Sequence, residues 1–351
     1  MKGRLRAALL YTCDNLGLSC YNQLTMEGLI NGKAGYFGVR IVELILTLFV
    51  VSFFTFAAFS IIPGDTARVV LGPNATEAQV ENYRKQTGLD KPVAERYGDW
   101  IRGAVTGDLG KSVSFRKPVS ELISSRLPVT LGMSAIALIM VIVISYPAAM
   151  LSSRRPGHAL DHILSVFGHV IFAIPPFVLS LLMIVLFANL FGFISIGRYA
   201  APSEDFAQFL SCMLLPSLCI ALPKIAMTFK FLRASMIEER ASGYVKTAKS
   251  HGLSDARIMV RHVLPNSSVS TITVISLVLS DILGGSLIVE QVFNLPGLGR
   301  LLLRAISVRD FPLLSGMVLY LAVITVVLYF IADIAAAMID PRQRLSERAR
   351  P

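Results

Sequence analysis

The chain has 351 residues, 54% of them hydrophobic and only 16% charged, with a formal net charge of +10. A mean hydropathy of +0.63 excludes an ordinary soluble globular domain and points to a bundle of membrane helices. The basic residues form no single patch or aromatic-interleaved stripe but collect in loops and tails, which fits a positive-inside bias and argues against nucleic-acid binding. Four cysteines, Cys13, Cys20, Cys212 and Cys219, show no C-x2-C spacing and no matching His cluster, so no zinc site is expected. The chain contains no H-E-x-x-H and no G-x-S-x-G, which speaks against an intramembrane enzyme. It also lacks a G-x4-G-K-[ST] loop, so it is not expected to cradle a nucleotide itself.

Residues 1–35 lack an apolar run followed by a small-residue cleavage site, so no signal peptide is expected. Lys2, Arg4 and Arg6 beside Leu5, Ala7, Leu9 and Leu10 suit an anionic membrane surface, and this extension is read as cytoplasmic or interfacial. A first span over residues 41–62 can cross about 30 Å of hydrocarbon and is broken by Pro63-Gly64-Asp65. Residues 63–126, polar and of mixed charge, read as an extracytoplasmic insert of short helices capping the outer mouth. A second span over 127–151 ends in the basic turn Arg154-Arg155-Pro156-Gly157-His158, a cytoplasmic marker. The third span, 163–191, is expected to kink at Pro175-Pro176. Freed carbonyls there are tolerated only against protein or a water-lined cavity, so both prolines are candidate path-lining residues.

The fourth span, 209–232, carries Lys224 and Lys230 toward its cytoplasmic end, where both are expected to snorkel. The fifth, 269–289, is rich in small and hydroxyl residues, among them Ser276, Ser280, Gly284 and Gly285, which suit close helix approach or a polar channel. Asp281 is the one acidic residue well inside a span and so a functional candidate. The alternative is a carboxylate bonded to neighbouring hydroxyls, or a protonated one. Residues 290–309, around Pro296-Gly297-Leu298-Gly299, read as a re-entrant or interfacial elbow at the outer mouth. Arg300, Arg304, Arg309 and Asp310 there suggest ion pairs or a carboxylate-attracting rim. A sixth span, 313–339, has Asp333 paired near the interface and leads into a basic cytoplasmic tail, 342–351. The count is six spans with both termini inside.

Between the fourth and fifth spans lies a polar, basic, helix-forming stretch, residues 238–265, on the cytoplasmic side. A helix over 236–251 places Tyr244 and Ala248 one turn apart on one face. Gly252 follows where a left-handed residue would end it, and Ser254 caps a second helix running to His262, with Asp255 in its first turn. Pro265 opens the next segment.

Ala248, Gly252, Leu264 and Pro265 keep the spacing E-A-A-x3-G-x9-I-x-L-P, with Lys246, Thr247 and His262 departing from it. In this the chain resembles permease subunits of bacterial ATP-binding-cassette importers. The longer wording YVKTAKSHGLSDARIMVRHVLPNS resembles their peptide/nickel branch, the dipeptide/oligopeptide permease B family. So do IIPGDTA after the first span (with Thr66 in place of Pro), the G-L-D-K-P and G-D-L-G-x-S phrases at 88–92 and 107–112, the Ile-Pro-x-Phe phrase, and VEQVFNLPGLG. The resemblance runs from about Gly35 to the C-terminus. It implies an all-α, six-span type I importer permease in a bacterial inner membrane, with a core over 127–341. Implied partners are a second homologous permease subunit, two ABC ATPase subunits, an extracytoplasmic binding protein and membrane lipid. This chain would bind no cofactor; ATP and Mg would belong to the ATPases. The loop would couple to an ATPase through Tyr244, Ala248, Gly252, Leu253, Arg257, Leu264 and Pro265, and substrate would pass Asp281, Ser280, Ser276, Pro175 and Pro176. Di- or oligopeptides or a nickel chelate would be the cargo. The competing expectation is a secondary transporter or channel with Asp281 as a cation or proton site, although no inverted repeat is visible.

Overall fold

Long apolar runs fold here as helices, and proline chemistry decides where some of them break. The computed structural model describes residues 33–61, 75–87, 90–191 and 199–339. Most of the N-terminal extension, the Pro63-Gly64-Asp65 break, the Asp333 side chain and the basic tail lie outside the described residues. The chain forms two compact units, Met1–Val51 and Ser52–Pro351. The described part of the first is the start of helix α1 (Lys33–Ile61), whose Ile41, Val42, Ile45, Leu46 and Phe49 are exposed, as side chains facing hydrocarbon are.

In the second unit, α2 (Glu77–Thr87) and α3 (Val93–Thr106) are the expected short helices of the insert. Tyr97 and Trp100 of α3 pack against the Phe56 ring with their planes tilted, and the Tyr97 hydroxyl lies 2.8 Å from Ser52 Oγ. The spanning helices follow as α4 (Val119–Arg154), the pair α5 (Ala159–Ala173) and α6 (Pro176–Phe191), and α7 (Phe206–Arg240). Next come α8 (Gly243–Ser250), α9 (Asp255–Ile258), a π turn (Met259–Val263), α10 (Leu264–Val292), α11 (Leu298–Ser307) and α12 (Phe311–Ile339). Among the described residues, Ile41–Phe59, Val119–Arg154, Phe206–Arg240, Thr271–Val292 and Phe311–Ala332 are long and apolar enough to cross a membrane, and the α5–α6 pair makes a sixth if it is one span.

The helices overrun the apolar segments from which they were predicted. α4 starts at Val119 rather than near residue 127, because Val119, Leu122 and Ile123 bury against Leu298, Leu301 and Leu313 beyond the apolar stretch. α7 begins at an Asp205 N-cap, which accepts from Gln208 N–H, and continues to Arg240. Pro216 and Pro223 lie inside it without ending it.

The third span is corrected more strongly. The expected kink is a 108° bend between α5 and α6. Ile174 and Pro175 both precede a proline, and such residues are pushed out of the α region. Ile174 accordingly adopts φ −90° and ψ 121°. Pro176 then starts α6 at a position where its missing N–H costs nothing.

The elbow differs in two places. The helix expected over 236–251 is two helices, interrupted at Ala241 and Ser242, because Ser242 is extended (ψ 152°) and Gly243 propagates a helix poorly. Pro265 does lie in the first turn of α10, as expected, but no break separates α10 from the turn before it. Leu264 N–H donates five residues back to Met259 O, and this wide turn carries the helix past a proline that would otherwise clash with the preceding turn.

Candidate functional site

The elbow is a capped unit packed on the ends of the long helices. At the end of α8, Gly252 has φ +74°. Its N–H donates to Lys249 O (2.9 Å), and Leu253 N–H donates to Ala248 O (3.3 Å). These two bonds form a Schellman cap, and Ala248 and Leu253 supply the apolar contact that accompanies one. The spacing A-x3-G-L is therefore a helix stop that requires a left-handed residue. Ser254 Oγ accepts from Arg257 N–H and starts α9 as expected.

The apolar side of the elbow faces its own chain. Val245, Ile258, Met259 and Val263 are buried with Ala149, Phe229, Leu232 and Met236, and Ala248, Leu253 and Leu264 pack against them. Ala248 thus serves internal packing, whereas Tyr244, Gly252, Arg257 and Pro265 are exposed. Tyr244 Oη donates to Glu239 (2.7 Å) and accepts from Asn266 Nδ2 (3.2 Å). Partial burial pushes its phenol up from the ordinary value, so it acts as a neutral hydrogen-bonding group.

Two arginines tie this unit to the spans. Arg240 donates to Ser153 O at the end of α4 (3.0 Å) and reaches Asp255 on α9 (3.4 Å). One layer deeper, Arg233 of α7 forks onto Asp161 of α5 with two bonds of 2.6 Å. Asp161 is 3% exposed and also accepts from Ser152 Oγ and Gly157 N–H. This hub, absent from the sequence reading, joins α4, α5 and α7. Its only signal in the sequence is an acid six residues after the basic pair Arg154-Arg155, which looks like a solvated loop residue.

The opposite end of the bundle carries a second lock. Glu290 is fully buried; its Oε1 accepts from Thr130 Oγ1 (2.5 Å) and its Oε2 from Gly299 N–H (2.7 Å). Thr130 Oγ1 in turn accepts from Leu298 N–H (3.0 Å), so the first turn of α11 is capped from two helices. A Cβ at Gly299 would lie 2.1 Å from Leu287 O, a backbone atom that cannot swing aside. This explains why the phrase needs Glu290 and Gly299 together. Gly299→Ala is expected to destabilise the protein by about 2 kcal/mol or more, read as a lower Tm of the detergent-purified subunit. The expected arginine ion pairs are not formed among the described residues. Asp310 is instead buried, accepting from Ser112 Oγ (2.6 Å) and Ser114 N–H (3.0 Å), which fastens the G-D-L-G-x-S phrase to the start of α12. Arg304 lies over the Phe115 ring and Arg300 reaches Asn294 O.

Within the membrane-spanning region, Asp281 of α10 is neither bonded to hydroxyls nor alone. It accepts from Lys224 Nζ of α7 at 2.8 Å. Lys224 therefore pairs across helices near the middle of α7 instead of snorkelling. Ser276 bonds to Ile272 O in its own helix, and Ser280 Oγ is buried without a partner among the described residues. Pro175 and Pro176 lie in the α5–α6 break, and α6 packs against α7 and α10.

Residues 142–345 match the family described as binding-protein-dependent transport system inner membrane component, and residues 36–134 match its N-terminal counterpart. The chain is 31% identical to a probable peptide ABC transporter permease of Sinorhizobium fredii over 305 residues, covering 87% of this chain and 97% of that protein. It is 32% identical over 308 residues to a glutathione transport system permease of Escherichia coli, with the same coverage. A putative peptide transport system permease of Brucella abortus is 31% identical over 305 residues. The matched residues, the all-helical fold and the apolar spans together make this chain a multi-pass inner-membrane protein of the binding-protein-dependent transport family, a permease subunit of the peptide-importer type.

Proposed function

We propose that this chain is one half of the pore of an ATP-driven importer of di- or oligopeptides, paired with a homologous permease subunit and powered by two separate ATPases. An extracytoplasmic binding protein delivers the cargo, and ATP and Mg are held by the ATPases. Six spans with both termini in the cytoplasm put the elbow where an ATPase reaches it. That reading follows the basic residues Arg154, Arg155, Lys246, Lys249, Arg257 and Arg261 at the elbow's end of the bundle.

The observation that carries the proposal is the construction of the elbow. Its apolar side is fixed on α4 and α7 and its last turn runs directly into α10, while Tyr244, Lys246, Lys249, Ser250 and Gly252 stay exposed. A partner that grips the exposed side moves three spans as one body, which lets ATP-driven closure shift the subunit between inward- and outward-facing states. The peptide class follows the Sinorhizobium and Brucella relatives, which are described as peptide permeases, and glutathione, the cargo of the Escherichia relative, is itself a peptide.

The test is reconstitution with the neighbouring subunits and a Ser250→Cys probe. ATP-dependent uptake of peptide, with Ser250→Cys crosslinking to a cysteine on the ATPase, is the expected result. An elbow that crosslinks to no ATPase, or uptake that follows an ion gradient without ATP, overturns the proposal.

A further inference from the structure

The elbow does not account for the ion pair between Lys224 and Asp281. Asp281 lies in the middle of the span Thr271–Val292, about 15 Å from either end at 1.5 Å per residue. Lys224 lies equally near the middle of Phe206–Arg240. Both charges therefore sit close to the centre of a hydrocarbon core about 30 Å thick. The Lys224 side chain is 16% exposed and that of Asp281 55%. On α10 the exposed residues Thr273, Leu277, Asp281, Gly284 and Ile288 recur at steps of three and four, so they form one stripe along the helix. Val274, Val278 and Ile282 bury the other side in the core shared with α4 and α7. A carboxylate turned to lipid at this depth is strongly disfavoured, so the stripe faces water or protein.

We propose that the Lys224–Asp281 pair is a station on the transport path that reads solutes carrying both a free ammonium and a free carboxylate. The inference rests on the importer reading above and goes beyond it by assigning the recognising groups. Without cargo, the two side chains satisfy each other. A zwitterion opens the pair by exchange: its ammonium takes the Asp281 carboxylate and its carboxylate takes the Lys224 ammonium. Every charge keeps a partner throughout. A compound with only one charged end leaves either Asp281 or Lys224 unpaired at the membrane centre, the arrangement that low dielectric penalises most. The pair therefore discriminates by charge pattern, independently of side-chain identity, as a path for varied peptides requires.

Two measurements on the complete transporter in proteoliposomes decide this, with trialanine as the probe. The first is ATP-driven uptake by the double variant Lys224→Met/Asp281→Leu, which removes both charges and leaves no unpaired ion. The path reading expects uptake to fall at least tenfold with normal amounts of assembled complex. Uptake at the wild-type rate would show a structural pair and overturn the proposal. The second measurement keeps the pair intact. Gly284 has nothing within 4 Å of an added Cβ, so Gly284→Cys is introduced with the four native cysteines replaced by alanine. Labelling by a water-soluble sulfonated thiol reagent, slowed severalfold by trialanine, is the expected outcome. A Gly284→Cys that stays unlabelled places the stripe against lipid or the sister subunit and overturns the proposal even if transport is normal. Absence of uptake by the unmodified transporter counts instead against trialanine as cargo; access of the thiol reagent to Gly284→Cys then decides, and an unlabelled cysteine overturns the proposal.

Discussion

Asp161→Ala is expected to lower stability by about 3–5 kcal/mol, the usual consequence of removing one partner of a buried, doubly bonded ion pair. Asp161 is 3% exposed and takes Nε and Nη2 of Arg233, so its loss leaves a partly buried guanidinium without its counter-ion and Ser152 Oγ and Gly157 N–H without their acceptor. The measurement is the Tm of the detergent-purified subunit. Because apolar replacement of both partners is often nearly neutral, Asp161→Leu/Arg233→Met should recover most of the loss. A single variant as stable as the parent would show that the hub contributes nothing to stability.

Gly252→Glu should insert normally yet reduce ATP-driven uptake about tenfold or more, the effect of losing a central contact in a docking interface. Two costs combine. A non-glycine residue at φ +74° is strained, and a carboxylate is placed on the exposed side of the elbow. Gly252→Asn separates them, since Asn tolerates the left-handed region and preserves the Schellman cap. Near-normal uptake by Gly252→Asn beside failure of Gly252→Glu would locate the effect in docking. Equal failure of both would locate it in the shape of the elbow.

Much of this was legible from sequence because the relevant signals are local. Apolar length marks spans, Gly252 after a helix marks a left-handed stop, and Ser254 before Asp255 marks a cap. What escaped depends on residues far apart in sequence. In sequence Lys224 reads as a snorkelling lysine and Asp281 as a separate functional candidate; only packing of α7 on α10 brings them to 2.8 Å. Nothing local marks Asp161, and Glu290 stands out only as the first residue of the expected elbow at 290–309, yet they are the buried centres of two locks. Ala248 fits a docking surface by its size, and it also packs on the internal cluster that Val245 of α8 and Leu253 beyond the Schellman cap enter. The size of the α5–α6 bend was hidden for a different reason. Either proline alone is compatible with a kink, but two in succession take two residues out of the helix.

α4 runs unbroken for 36 residues, about 54 Å, and is fastened near each end. Thr130 ties it to Glu290 on one side, while Ser152 and Ser153 tie it to Arg233 and Arg240 on the other. Pro128 and Pro147 lie within two turns of those fastenings, where a missing hydrogen bond makes a helix easiest to flex. The helix is thus a lever with a soft joint beside each pivot. Tilting it by about 10° about the pivot beside the elbow would sweep its far tip by about 9 Å, so a small push at the elbow's end of the bundle becomes a wide movement at the opposite end.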